Sequence, residues 1–99
     1  MTVSWAPDRP SPQAVCVRVR SEITVVLAAP QLHEWTPPAS SDTGVAAVTT
    51  FGANQEGTMY ATVIAARAGT TVLTAVAQPR EGADDPRPVP WRLAVTVVA

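Results

Sequence analysis

The stretch Gln13-Ala14-Val15-Cys16-Val17-Arg18-Val19-Arg20-Ser21-Glu22-Ile23-Thr24-Val25-Val26-Leu27 decides the fold class. Val15, Val17 and Val19 recur at every second position with Cys16, Arg18 and Arg20 between them, the period of a strand that turns one face to a core. Ser21-Glu22 breaks the pattern. Ile23, Val25 and Leu27 then share one face of a second strand rich in β-branched residues, which Pro30 ends.

Outward from this pair, residues 32–36 predict a third strand carrying Trp35, followed by Pro37-Pro38 and a polar loop over 39–44. Residues 45–51 are β-prone. The two glycines and the asparagine of 52–57 suit a connection between antiparallel strands. Residues 58–67 alternate Met59, Ala61 and Val63 against Tyr60, Thr62 and Ile64, and both sides are apolar enough to leave the buried face open. Residues 68–70 form a turn and 71–77 a strand. Residues 91–98 close the chain with Trp91, Leu93, Val95 and Val97 on one side. Seven strands at roughly 8–12-residue spacing predict an all-β, immunoglobulin-like sandwich of two antiparallel sheets. The abundance of Ala and Val fits two inner faces that interdigitate across about 10 Å.

Composition agrees. The 99 residues carry 10 prolines and suffice for one domain. Three prolines fall in residues 1–12, read as an extended lead-in without a ladder of its own, ahead of a sandwich over 13–99. Four more fall in 78–90, a loop of a length that is usually functional or mobile. The net charge of −1, with arginine as the only basic side chain besides one histidine, argues against nucleic-acid binding and polybasic membrane contact. No apolar run approaches the ~20 residues of a membrane span, and no signal peptide is read in residues 1–12.

The residue order resembles the group-2 bacterial immunoglobulin-like domain over about residues 15–98. The likeness rests on Glu22-Ile23-Thr24-Val25-Val26-Leu27, on Trp35 followed by Ser40-Ser41-Asp42-Thr43-Gly44-Val45-Ala46-Ala47-Val48, and on Ala68-Gly69-Thr70-Thr71-Val72-Leu73-Thr74-Ala75. The resemblance implies a non-catalytic interaction or spacer module of a surface or secreted protein, with no catalytic residues to carry over. Extracellular or cell-surface placement follows from it, and a cytoplasmic one stays open. A second resemblance is to chagasin-type cysteine-protease inhibitors, which share the topology and bind through three loops at one end, one bearing Arg-Pro-Trp. Here that segment reads Arg87-Pro88-Val89-Pro90-Trp91, interrupted by Val89-Pro90. Ala29-Pro30-Gln31-Leu32-His33 replaces the family's Asn-Pro-Thr-Thr-Gly loop, and 52–57 is loosely similar to its glycine-rich loop. This resemblance implies inhibition of papain-type proteases as the alternative function.

Chemistry-bearing residues are few. Cys16 and His33 do not sit in any nucleophile-and-base pattern, so the expectation is a half-buried, inert Cys16 and a surface or loop-edge His33. Glu81, Asp84 and Asp85 cluster, but without calcium-loop spacing and between Arg80 and Arg87, so a solvated acidic tip is the expected reading and no cofactor or metal is expected. Trp35 is assigned to the core, and Trp5 either packs back onto the domain or meets a neighbour. Trp91 either caps the sandwich or stands as a binding anchor. Candidate contacts to a protein or glycan partner are Arg80, Asp84, Asp85, Arg87 and Trp91. Self-association through strand edges is a further expectation, since arginine and proline alone guard them.

Overall fold

The computed structural model describes residues 1–7 and 14–99, and every regular element among them is a strand. In chain order these are β1 (Thr2–Trp5), β2 (Ala14–Arg18), β3 (Glu22–Leu27), β4 (His33–Trp35), β5 (Ala39–Ser40), β6 (Ala46–Ala53), β7 (Met59–Ala65), β8 (Gly69–Pro79) and β9 (Val89–Val98). They form two sheets, β1-β3-β7-β6 and β2-β9-β8-β4, with β5 also on β8, stacked as an immunoglobulin-like sandwich. Among the described residues no helix is long and apolar enough to cross a membrane.

The seven expected strands are β2, β3, β4, β6, β7, β8 and β9. Their central ladders are antiparallel, but each sheet gains a parallel edge, β1 on β3 and β2 on β9, so both sheets are mixed. β1 corrects the expected lead-in. Thr2-Val3-Ser4-Trp5 lies in register with Thr24–Leu27, Val3 is buried, and Trp5 packs edge-on against Trp35 with ring centroids 5.5 Å apart. Three prolines close behind this short strand hid an alternation that needs only four residues and one inward valine. The remaining part of the expected lead-in, residues 8–12, and the expected strand start at Gln13 lie outside the described residues.

Register settles the face that alternation left open in β7. Ile23, Val25 and Leu27 stand opposite Val63, Ala61 and Met59, so Tyr60, Thr62 and Ile64 turn outward. From the other sheet Leu73, Ala75 and Ala77 of β8 and Trp91, Leu93, Val95 and Val97 of β9 complete the core. Ile23, Leu27, Leu73 and Leu93 are fully enclosed, each contributing roughly 1.5–3 kcal/mol by burial. β6 pairs β7 with a shift between Val48 and Thr50, and beyond this irregularity Phe51 is exposed at the sheet edge.

Candidate functional site

Three connections meet at the end of the sandwich where β3, β6 and β8 finish: residues 28–32, 54–58 and 80–88. The paired strand ends place them together, since Leu27 and Ala53 both oppose Met59 and His33 opposes Pro79. Each connection is shaped by local hydrogen bonds, and 28–32 is hydrogen-bonded to 80–88 and closely approached by 54–58.

The 54–58 turn is closed by Asn54, whose Oδ1 accepts from the N–H groups of Glu56 (2.9 Å) and Thr58 (3.0 Å). Gly57 follows at φ +88°, where a Cβ would stand 3.3 Å from the Ala29 Cβ and 3.4 Å from the His33 carbonyl oxygen. Glycine there supplies the backbone hand and lets this turn lie against the 28–32 connection. In that connection the His33 N–H donates to the Pro30 carbonyl at 3.0 Å, and Leu32 takes a left-handed φ of 57° that is uncommon for a branched side chain. Leu32 is left 43% exposed at the tip.

The 80–88 loop is fastened to 28–32 by two contacts. The Arg80 N–H donates to the Leu32 carbonyl at 2.7 Å, and His33 Nε2 lies 3.0 Å from the Arg87 carbonyl oxygen. Within the loop the Ala83 N–H donates to the Arg80 carbonyl, and Asp85 accepts from Arg87 Nε and Nη2, both at 2.9 Å, and from the Arg87 N–H at 3.2 Å. That two-point hydrogen bond, the backbone donor and the guanidinium charge hold the Asp85 carboxyl down at about 2. The same pairing raises Arg87.

His33 corrects the expectation of a surface side chain, being only 4% exposed. Its ring lies between two carbonyl oxygens, Nδ1 at 2.9 Å from Gln31 and Nε2 at 3.0 Å from Arg87. Those two carbonyls, Gln31 foremost, raise its pKa above the usual 6.5; Asp85 adds to the effect against the opposing influence of desolvation. The signal was present in the sequence: His33 and Trp35 sit two apart on one strand, so a core Trp35 turns His33 inward too.

The five candidate contacts divide. Arg80, Asp84, Asp85 and Arg87 are all exposed on the loop, with Arg80 3.7 Å from Glu34 of β4. Trp91 departs from them: it is 4% exposed, opposite Ala75 in the β8–β9 ladder, and therefore a core residue and not a binding anchor. Trp35 is also core, and among the described residues neither buried indole N–H meets an acceptor. Cys16 is exposed on β2, correcting the half-buried assignment, because it occupies the outward parity of an edge strand. β9 and β8 stand between Cys16 and His33, so the two side chains do not form a reactive pair. Among the described residues no group of three or more His, Cys, Asp or Glu is placed to hold a metal ion.

No protein-family model matches the chain, and no curated protein matches it. Solved structures do share its fold. The cysteine protease inhibitor EhICP2 from Entamoeba histolytica superposes with a TM-score of 0.62 at 11% identity, covering 86% of this chain and 84% of that one. Amebosin superposes with a TM-score of 0.60 at 14% identity, covering 86% and 88%. At such identities the likeness concerns the fold, and it lies with a protease inhibitor's sandwich. The bacterial immunoglobulin-like resemblance rests on its quoted residues alone.

Proposed function

We propose that this chain is a non-catalytic inhibitor that presents its loop end to the active-site cleft of a papain-type cysteine protease. The observation that carries the reading is the gathering of the 28–32, 54–58 and 80–88 connections at one end, with 80–88 hydrogen-bonded to 28–32 and the 54–58 turn lying close against it at Gly57, on a sandwich similar in fold to a cysteine protease inhibitor. Loops already tied to one another lose little further freedom on binding, so more of their contact energy appears as affinity. The end offers an exposed aliphatic side chain, Leu32, beside the exposed pair Asp85 and Arg87. Arginine is among the residues enriched at binding hot spots, and the exposed leucine adds apolar surface to bury. Because Trp91 is enclosed, Leu32 and Arg87-Pro88 take the leading contact roles on this surface.

Titration of papain-type proteases with the purified protein tests the reading. Stoichiometric, reversible loss of activity is the expected result, and Leu32→Asp is expected to weaken it at least tenfold while leaving the fold intact. Full protease activity at micromolar protein would remove the inhibitor reading in favour of a spacer or adhesion module.

A further inference from the structure

A neutral imidazole has one N–H and one bare nitrogen, so it donates to a single acceptor. His33 meets two. Gln31 and Arg87 each direct a carbonyl oxygen at a different ring nitrogen, at 2.9 and 3.0 Å, and neither carbonyl has a hydrogen to give. Only the imidazolium satisfies both contacts. In the neutral ring a nitrogen lone pair faces a carbonyl lone pair, and that contact must open or admit water. The two carbonyls belong to different connections: Gln31 is two residues from His33, while Arg87 is 54 residues away on the 80–88 loop. The Gln31 carbonyl sits in a turn closed by the His33 N–H to Pro30 bond, whereas Arg87 lies on an exposed connection, so the tie to Arg87 is the one that yields when the proton is lost.

We propose that His33 is a proton-gated latch, which as the imidazolium ties the 80–88 loop to the 28–32 connection and on losing its proton releases the loop at Arg87. Of the surrounding charges, that of Asp85 acts in the same sense. Asp85, on the loop, favours the imidazolium, and the Arg87 guanidinium that opposes it is engaged by the Asp85 carboxylate. On β4 Glu34 faces Arg80 at 3.7 Å, and the adjoining 54–58 turn contributes Glu56, next to Gly57. Release is partial, since the Arg80 N–H keeps its bond to the Leu32 carbonyl in either state. The loop therefore pivots about its first residue while the Arg87 side gains freedom. The latch belongs to the fold and operates whatever partner meets the loop end.

The chain has one histidine, so its imidazole Cε1–H resonance reports this ring alone in a solution NMR titration. The expected result is a midpoint above 6.5, with the Arg87 amide signal moving at that same midpoint. Exchange of the amides of Ala83, Asp84, Asp85 and Arg87, corrected for intrinsic pH dependence, is expected to quicken about tenfold above it. In His33→Gln, whose amide donates without titrating, loop exchange becomes independent of pH. The Asp85 carboxyl titration near 2 persists in that variant. A histidine midpoint at or below 6.5, or an Arg87 signal that follows only the acidic Asp85 transition, overturns the latch. Both readouts come from the unmodified protein, so they decide the matter even if the variant does not fold, and neither requires a protease.

Discussion

Where β8 begins, Thr71 gathers neutral partners: its Oγ1 lies 2.8 Å from the Ser40 hydroxyl and 3.2 Å from that of Ser41, and accepts the Asp42 N–H at 2.9 Å. Where β8 ends, about 26 Å away at ~3.3 Å per residue, His33 bridges two carbonyls and Asp85 clasps Arg87. Thr71 and His33 are the two buried polar side chains among the described residues, one at each end. The first end ties β5 and its following turn to β8 with hydroxyls that never ionise over the physiological range. The second ties the 28–32 and 80–88 connections through the ring of His33, which does ionise there. One sandwich thus has a permanent fastening at one end and a conditional one at the other, and the conditional end is the one that carries the 80–88 connection.

The largest way to blur this difference is to damage what both ends share. Trp91→Ala opens the core beneath the 80–88 loop and is expected to cost about 3–5 kcal/mol, read by urea unfolding; a loss below 1 kcal/mol would mean the indole is not packed as described. Next comes Thr71→Val. It leaves the Asp42 N–H without its acceptor and the Ser40 hydroxyl without its partner, for about 1–3 kcal/mol, and the loss is expected to be the same at pH 5.5 and 8.

Removing His33 should instead change the shape of the pH profile. Its folded pKa is raised, so its contribution is complete below 6.5 and fades as pH rises through the folded value. His33→Gln is therefore expected to flatten the fall in stability between pH 6 and 8 that the unmodified protein shows by thermal unfolding. Asp85 has the opposite sign. Its pKa is depressed to about 2, so its contribution stands above the usual 3.8 and is lost as pH falls toward 2. Arg87→Ala should return that carboxyl toward its ordinary value by NMR, with little change in stability at neutral pH because the pair is exposed. The smallest effect is expected at the other end, where Arg67 and Asp42 are exposed and 3.8 Å apart. Arg67→Ala should change stability by no more than about 0.5 kcal/mol.

Much of the sandwich was legible in residue order. Ile23, Val25 and Leu27, and Trp91, Leu93, Val95 and Val97, face the core as their spacing predicts, because a strand alternates its side chains whatever it pairs with. The proline-rich segment 78–90 reads as one loop in the sequence, and the structure narrows that loop to 80–88 because Pro79 ends β8 and Val89 begins β9. His33 was misread since a single histidine next to a glutamate and a proline-rich loop carries local polarity, whereas its burial depends on a carbonyl 54 residues on. Trp91 was ambiguous for a related reason: its position after Pro90 speaks of a strand start, and only the opposite sheet decides whether that start is covered. Cys16 belongs to a residue type that is usually buried, yet its alternation with Val15 and Val17 turns it outward on β2.

By itself the sequence determined the fold class, the strands of the two antiparallel centres and the inward parity of most of their residues, all of which follow from period-2 patterning and turn chemistry. Tertiary structure alone decided the rest. The parallel edges of β1 and β2, the inner face of β7, the gathering of three connections at one end and the two acceptors of His33 are relations between distant residues, and local periodicity holds no record of which strand lies beside which. The prolines and charges marked where the surface is, but the carbonyl of Arg87 had to be brought to the ring of His33 before that surface acquired a device that a proton can work.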